Sequence, residues 1–462
     1  MNMTPKSPGN MIGSFFEHHS NTFKLAGVIC LVLVMLIPLR MIHSLLYERM
    51  QRRDQAVSEI TTSWGGEQVI AGPVLVIPYQ YRFKTWKEEI INGRQKQIEV
   101  EETGVANAYF LPAELNIEGE VEPSKLHRGI YEAVVYSGRL NLAGRFTEPD
   151  FAELGIEESD VQWDKAQVTL AVSDLRGTEE LLKIQIGEQT YALTPGCKLN
   201  GYNSGVSARL PNLQERIKKL DFQLTLDFKG SKGLRFAPMG RQNRVKLTSP
   251  WPDPSFTGAF LPVQRDVSEQ GFSASWETTW YGRNYPQQSA DRKSGGVLNA
   301  STINPSLFGV DFIVLVDTYR MVERAIKYGV LFLALVFTAF FLFEVLAALR
   351  IHTIQYLLVG AALCLFYLAV LSLSEFIVFL YAYWAGALAS MLLIVLYSLK
   401  VLKGGKRTAI LAAALLTINS YLYIVLQLQD YSLLFGTAAL FVVLGIVMYA
   451  TRNLDLPEPE KE

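Results

Sequence analysis

Apolar residues are concentrated in five long runs in the last third of the chain. The runs occupy residues 328–349, 354–373, 376–399, 408–428 and 431–450. Each has about 20 residues, which as an α-helix is about 30 Å long and matches the hydrocarbon thickness of a bilayer. The pattern predicts five transmembrane helices packed as a bundle.

A sixth apolar run lies near the N-terminus, at residues 25–42. The residues that follow it, from Arg40 to Arg49, offer no small-residue cleavage site of the kind that ends a signal peptide. We therefore expect an uncleaved transmembrane span over residues 23–46. Pro38 is expected to kink this helix without ending it, because neighbouring groups re-satisfy the freed carbonyl.

The short loops between the apolar runs alternate in charge. Basic residues follow the first, third and fifth runs of the bundle, and acidic residues follow the second and fourth. Because basic loops stay in the cytoplasm, both termini are expected there, and the long segment after the first span is expected outside. Arg49, Arg52 and Arg53 oppose this orientation, since they directly follow the first span on the predicted outer side.

The segment between the first and second spans alternates apolar and polar residues. Apolar side chains recur at every second position of residues 220–228, and the same period appears at residues 134–146 and 272–280. Period-two alternation is typical of antiparallel strands with one buried and one solvated face. The segment is therefore predicted to be a large, mainly antiparallel β domain.

Two further elements are predicted in this segment. Residues 74–77 are all apolar and lie between Pro73 and Pro78, which predicts a short buried strand ending at the prolines. Helix is expected mainly at the margins, at residues 47–64 and 317–327, as stalks that extend the first two spans.

The predicted fold class is a polytopic α-helical membrane protein with six spans and a mainly antiparallel β (α+β) periplasmic domain inserted between spans 1 and 2. A cytoplasmic tail at residues 1–22 precedes span 1, and the periplasmic domain with its helical stalks covers residues 47–327. The five-span bundle covers residues 328–450, and a second cytoplasmic tail covers residues 451–462.

Charge and cysteine content exclude several classes of protein. The net charge is -1 with 19% charged residues, so nothing indicates a nucleic-acid partner. Of the three cysteines, only Cys197 lies in the predicted β domain, which therefore cannot close an internal disulfide. The five histidines are scattered without a local ligand pair, so neither a metal nor another cofactor is expected.

Catalytic sequence motifs are missing as well. The chain has no G-x-S-x-G elbow, no H-E-x-x-H, no Walker loop and no G-x-G-x-x-G. Residues 404–408 contain a Gly-Lys pair but lack the upstream glycine and the preceding strand of a phosphate-binding loop. We therefore expect no enzymatic activity.

Two features of the predicted spans have both a functional and a structural interpretation. Glu344 is the ionisable residue well inside a predicted span. A charge at that depth is costly and often marks a functional site, whereas the alternative is a Glu that is protonated or bonded to a neighbouring helix. Ala382, Gly386 and Ser390 recur every four residues, which predicts close packing against another helix.

The most unusual stretch of the β domain is Pro-Trp-Pro-Asp-Pro-Ser-Phe at residues 250–256. Alternating prolines favour an extended backbone, and Trp251 and Phe256 either anchor it on a sheet or present a surface to a ligand. Arg265, Asp266 and Glu269, which follow closely, are interpreted as a solvated turn.

Several segments together resemble the CreD family of bacterial inner-membrane proteins. They are GPVLVIP at 72–78, PWPDPSF at 250–256, FLP at 260–262, GFSASW at 271–276, FLFE at 341–344, QYLLVG at 355–360 and LSLSE at 371–375. The chain departs from the family pattern at Thr353, where the family has proline, and at Phe376, where it has histidine. Glu344 and Glu375 are retained.

The resemblance implies a Gram-negative inner-membrane protein associated with cell-envelope integrity, envelope stress and tolerance of colicins and cell-wall-active drugs. It implies no catalytic residue and no cofactor. The candidate functional residues are therefore Glu344, Glu375, Trp251 and Phe256.

Three hypotheses follow. In the first, a non-enzymatic protein anchored in the lipid bilayer binds a periplasmic or envelope protein, peptidoglycan or a lipid through its external domain. In the second, a transporter or flippase uses Glu344 for proton coupling or substrate contact, although no repeat of the spans is evident. In the third, the external domain is a membrane-linked hydrolase, although no nucleophile and base pair is apparent.

Overall fold

A computed structural model describes residues 20–91, 94–178, 181–216, 220–292, 298–312, 318–346, 351–402, 404–428 and 431–452. Most of the two predicted tails, residue 317 of the second stalk and the loop residues Arg350, Lys403 and Asp430 lie outside these ranges. The chain forms two compact units. The first comprises the described residues up to Asp54 and from Val316 onward, and the second comprises those from Gln55 to Leu315.

Seven α-helices are present in the described part of the chain. They are α1 (Ser20–Trp64), α2 (Ala300–Ile303), α3 (Thr318–Leu346), α4 (Thr353–Leu373), α5 (Phe379–Val401), α6 (Gly405–Gln427) and α7 (Ser432–Thr451). Helix α1 is continuous through Pro38, and its last residues, 55–64, belong to the second unit. Helix α2 is a single turn of the second unit.

Five of the described helices are long and apolar enough to cross a membrane. These segments are Ala26–Trp64, Thr318–Leu342, Thr353–Leu373, Phe379–Val401 and Gly405–Gln427. The apolar part of α7, Leu434–Tyr449, is shorter. The fold is therefore that of a membrane protein with a large β unit between its first two membrane helices.

The helices of the first unit approach one another closely where glycines face them. A Cβ at Gly360 of α4 would lie 2.8 Å from Sδ of Met35 on α1 and 2.9 Å from Cζ of Phe337 on α3. On α5, a Cβ at Gly386 would lie 3.2 Å from Cγ2 of Val370 on α4. The close packing predicted for the small-residue face of α5 is thus confirmed.

The outer surface of the helical unit is strongly apolar. Leu392 of α5 is 60% exposed, and Phe441 and Val442 of α7 are 72% and 62% exposed. Contiguous apolar surface of this kind is unfavourable in water and is what a lipid bilayer covers. The protein is accordingly a multi-pass membrane protein associated with the bilayer.

Seventeen described strands form the two sheets of the second unit. The nine-stranded sheet contains β1 (Gln68–Ile91), β2 (Arg94–Phe110), β5 (Gln167–Val172), β8 (Thr194–Pro195), β9 (Gly205–Arg209), β11 (Gly233–Phe236), β13 (Pro254–Gly258), β16 (Gln288–Ala290) and β17 (Phe308–Phe312). The eight-stranded sheet contains β3 (Glu114–Arg128), β4 (Tyr131–Phe146), β6 (Lys183–Ile186), β7 (Gln189–Ala192), β10 (Leu220–Ser231), β12 (Gln242–Ser249), β14 (Gln264–Ser268) and β15 (Gly271–Thr279).

The sheets are mainly antiparallel, as predicted. The exceptions among the described pairs are β1 with β11 and β3 with β12, which run parallel. The alternating segments at 134–146, 220–228 and 272–280 correspond to β4, β10 and β15, and β10 shows the cleanest alternation of buried and exposed residues. The period-two pattern therefore located three of the strands.

The inner faces of the two sheets share one apolar core. The ring of Tyr136 in β4 lies 5.0 Å from that of Phe312 in β17, and the ring of Trp276 in β15 lies 5.9 Å from that of Phe308. These contacts join the eight-stranded sheet to the nine-stranded one. The second unit is therefore a two-layer β sandwich.

Strand β1 is much longer than predicted. Residues 74–77 are fully buried, but the strand continues through both flanking prolines. Its register against β5 shifts between Ala71 and Val74, so Pro73 lies in an irregularity where its missing N–H removes no regular ladder bond. The predicted strand end at Pro73 was wrong for this reason. The predicted end at Pro78 was also wrong, because Pro78 lies within the β1–β2 ladder opposite Asn107.

The last turns of α1 pack on the eight-stranded sheet. Ile60 is buried with Ala133 and Val135 of β4, and Nε1 of Trp64 donates a hydrogen bond to the carbonyl oxygen of Tyr136 at 3.1 Å. Arg128 at the end of β3 forms an ion pair with Glu59 at 2.7 Å. This end of the helix is thereby fixed to the β3–β4 hairpin.

Candidate functional sites

The proline-rich segment at residues 250–256 packs against the sandwich. Nε1 of Trp251 donates to the carbonyl oxygen of Asp253 at 3.1 Å, and its ring meets Phe312 edge-on at 6.4 Å. The ring of Phe256, on β13, lies 5.7 Å from the rings of both Phe272 and Trp276 in β15. Both candidates therefore contact the core, and this placement favours anchoring over ligand presentation.

The outer face of the eight-stranded sheet is charged along most of its width. Arg139 and Arg145 of β4 form ion pairs of 2.6 Å with Asp227 and Asp221 of β10. Exposed pairs of this kind contribute little to stability, because solvent screens them. Their main effect is to neutralise this part of the face.

A groove runs along the same face over β3, β12 and β15, with β14 as its side wall. Its larger cavity, of about 730 Å³, is lined by Asn116, Ile117, Glu118, Arg244, Lys246, Gln264, Arg265, Asp266, Ser273, Ser275 and Glu277. An adjoining cavity of about 440 Å³ shares Asp266 and Ser273 with it and extends past Glu120 and Glu122. Six residues of strand separate Asn116 from Glu122, so the groove is about 20 Å long.

Charges are distributed unevenly along this groove. In the larger cavity, Arg244 is held by Glu277 at 3.2 Å, whereas Lys246 and Arg265 form no ion pair with any described residue. The smaller cavity is lined by carboxylates and by no described cation. Unpaired charges of both signs can bind a polar ligand that carries complementary charges.

The sequence patterns did not identify this groove. Arg265 and Asp266 were interpreted as part of a solvated turn, but they lie in strand β14, and the turn comprises residues 269–270. The sequence did not predict this strand, because all five of its residues are exposed. It therefore has no buried row of side chains to produce an alternation of apolar and polar residues. The parallel pairing that brings β3 and β12 together has no signature in the spacing of residues along the chain.

Glu344 lies inside the helical unit, where it is 5% exposed. The hydroxyl of Tyr356 on α4 donates a hydrogen bond to its Oε2 at 3.0 Å. The rings of Phe337 and Phe340 lie 5.7 and 6.1 Å from the ring of Tyr356. The carboxyl group therefore has a hydrogen-bonding partner within an aromatic surround, which favours the structural interpretation.

Glu375 lies in the turn between α4 and α5, and its side chain is 7% exposed. The hydroxyl of Tyr319 on α3 donates to its Oε1 at 3.2 Å, and Nη1 of Arg49 on α1 lies 3.7 Å from its Oε2. The guanidinium of Arg53 lies 5.3 Å from the centre of the Tyr319 ring. One carboxylate thus connects three segments of the helical unit.

Among the described residues, no group of three or more His, Cys, Asp or Glu side chains is positioned to hold a metal ion. Cys197 and Cys364 are free thiols, the first half-buried and the second buried. The described residues thus offer a polar groove and two buried carboxylates as candidate sites.

Comparison with known proteins identifies the family of this chain. The model of the family described as "Inner membrane protein CreD" matches residues 20–456. The chain is 32% identical over 433 residues to the inner membrane protein CreD of Escherichia coli (strain K12), an alignment that covers 94% of this chain and 93% of that protein. The family carries an inner-membrane name and no enzyme name. This chain therefore belongs to the CreD family of inner membrane proteins.

Proposed function

We propose that this protein supports cell-envelope integrity, including tolerance of colicins and cell-wall-active drugs, by binding an envelope component at its β sandwich. The groove on the eight-stranded sheet carries this proposal, because it offers Lys246 and Arg265, which no described carboxylate pairs with, beside a row of carboxylates. The membrane helices anchor the sandwich in the bilayer. The component is an envelope protein, peptidoglycan or a lipid.

The proposed orientation has both termini in the cytoplasm, six spans and residues 47–327 in the periplasm. Lys406 and Arg407, in the first turn of α6, support it. The three arginines that oppose it all lie beside carboxylates: Arg49 beside Glu375, Arg52 beside Glu48 at 2.6 Å and Arg53 beside Asp54 at 2.9 Å. The test introduces Glu188→Cys or Lys406→Cys into a cysteine-free variant of the chain and treats spheroplasts with a membrane-impermeant maleimide. Labelling at position 188 but not at position 406 would support this map, and the reverse would refute it.

We further propose that binding involves no catalysis. Among the described residues that line the larger cavity, Ser273 and Ser275 carry hydroxyl groups and none is a histidine. A serine without a general base is a poor nucleophile. The hydrolase hypothesis therefore has no residue pair in the groove to support it.

A transporter or flippase remains the second candidate because of one observation, the buried carboxylate of Glu344. Its hydrogen bond with Tyr356 is equally expected of a packing residue. The binding function is therefore preferred, and the two are separated by the effect of Glu344→Gln described in the Discussion.

Complementation of an Escherichia coli strain without its own CreD protein tests the proposed function. The full chain is compared with a chain in which residues 65–312 are replaced by a flexible linker, both at matched membrane levels. Survival under a cell-wall-active drug should be restored by the full chain and not by the linker chain. Equal restoration by both would overturn the proposal.

A further inference from the structure

Strand β14 is a free edge of the sandwich. It is the terminal strand of the eight-stranded sheet and pairs only with β15 among the described strands. All five of its residues are exposed. The backbone N–H and C=O groups on the edge of β14 that points away from β15 therefore have no described strand to pair with. Such an edge is a template for an added strand.

The opposite sheet does not reach over β14. Phe256 of β13, the terminal strand of the nine-stranded sheet, packs on Phe272 and Trp276 of β15. Strand β13 therefore lies over β15, and β14 extends one strand further out. Val263, directly before β14, and Val267 belong to the row of side chains on the core-facing side of the sheet. Because β13 does not reach over them, they are 66% and 47% exposed.

The exposed edge has a specific charge order. Arg265 lies between the two valines on the core-facing row of this edge strand and also lines the groove, and Asp266 lies on the outer row beside the groove. Neither forms an ion pair with a described residue. A strand added here would be stabilised by apolar side chains opposite the valines, an acidic one opposite Arg265 and a basic one opposite Asp266.

We propose that β14 receives an extended segment of an envelope protein by β-strand addition. For antiparallel pairing, the residues of this segment follow the order apolar, basic, acidic, polar, apolar. This inference rests on the proposed function and names the class of the bound component. Main-chain hydrogen bonds to the edge provide affinity, and the charge order provides specificity.

The test uses the full chain in lipid nanodiscs and the fluorescein-labelled peptide Thr-Val-Lys-Glu-Thr-Val-Thr, monitored by fluorescence anisotropy at low salt. Its lysine is designed to face Asp266 and its glutamate Arg265. The composition-matched control is Thr-Val-Glu-Lys-Thr-Val-Thr, in which the two charges are exchanged. We expect the control to bind at least tenfold more weakly, and N-methylation of alternate residues of the first peptide to abolish binding.

Variants of the chain make the test specific to this edge. The double substitution Arg265→Asp with Asp266→Arg should invert the preference, so that the exchanged peptide binds more tightly. Lys183→Glu, at an exposed position of β6 in the same sheet, should change neither affinity.

Equal binding of both peptides, or no saturable binding of either, would overturn the inference. It would also be overturned if the double substitution left the order of the two affinities unchanged. So would binding of a soluble peptidoglycan fragment or of phosphatidylglycerol vesicles at this edge in place of the peptide. If the peptides fail while the linker chain still fails to complement, the proposed function stands and the component binds elsewhere.

Discussion

Nη1 of Arg49 in α1 lies 3.7 Å from Oε2 of Glu375 in the turn that joins α4 to α5, although the two residues are 326 positions apart in the chain. The same carboxylate accepts a hydrogen bond from Tyr319. Arg49 is one of the three arginines that oppose the predicted orientation. Its position beside a nearly buried carboxylate supplies a structural reason for an arginine at this place.

Removing the charge of Glu375 should weaken this cluster. Glu375→Gln keeps an acceptor for Tyr319 but loses the attraction to Arg49, which is worth up to about 1 kcal/mol for a partly exposed pair. We expect the melting temperature of the detergent-solubilised protein to fall by up to about 4 °C. Arg52→Gln is the matched control, because the ion-pair partner of Arg52 among the described residues is Glu48 of the same helix, at an exposed site. An equal fall in both variants would contradict the account.

Glu344 provides a second prediction. Glu344→Gln retains an oxygen that accepts the hydrogen bond of Tyr356, so stability and drug tolerance should match those of the unmodified protein. Glu344→Leu leaves the Tyr356 hydroxyl unpaired in an apolar core and should cost about 1–3 kcal/mol. Thermal unfolding and complementation measure both. A Gln variant that folds normally but fails to complement would favour the transporter hypothesis.

The α4–α5 contact gives a third prediction. A side chain at Gly386 meets Val370 and the carbonyl oxygen of Phe366, at 3.2 and 3.4 Å from the first added carbon. Gly386→Leu should therefore overpack the helices and cost about 1–3 kcal/mol, seen as a lower melting temperature. At Gly436 of α7 no atom lies within 4 Å of an added Cβ. Gly436→Leu should leave the melting temperature unchanged or raise it slightly, since leucine favours helix; the opposite order would refute this packing.

The aromatic contact between β13 and β15 gives a fourth prediction. Phe256→Ala removes edge-to-face contacts with Phe272 and Trp276. It should lower the free energy of unfolding by about 2 kcal/mol. This is less than the usual loss for a fully buried Phe, because the ring of Phe256 is half-buried. Denaturant unfolding followed by tryptophan fluorescence measures the loss. Tyr281→Ala, at a side chain that is 86% exposed, should have no effect. If both substitutions were neutral, Phe256 would not be an anchor.

The sequence indicated those elements whose residues carry a local pattern. The apolar runs located the membrane helices, and the alternation at 220–228 located β10, because one face of each element meets one kind of environment. Strand β14 is solvated on both faces and left no such pattern. The groove depends on pairing between residues 114–120 and 242–248, and the Glu375 cluster on contacts between three distant segments. Neither arrangement is encoded by spacing along the chain.

Site-specific photocrosslinking in living cells tests the central claim, that the grooved face of the sandwich binds an envelope component. The residue p-benzoylphenylalanine is placed at Gln264 in the groove wall and, as a control, at Lys183 on the same sheet outside the groove. Both positions are exposed, so random collisions should label them equally. We predict a discrete adduct of one partner at position 264 that is absent at position 183. No adduct at position 264, or the same adducts at both positions, would contradict the account.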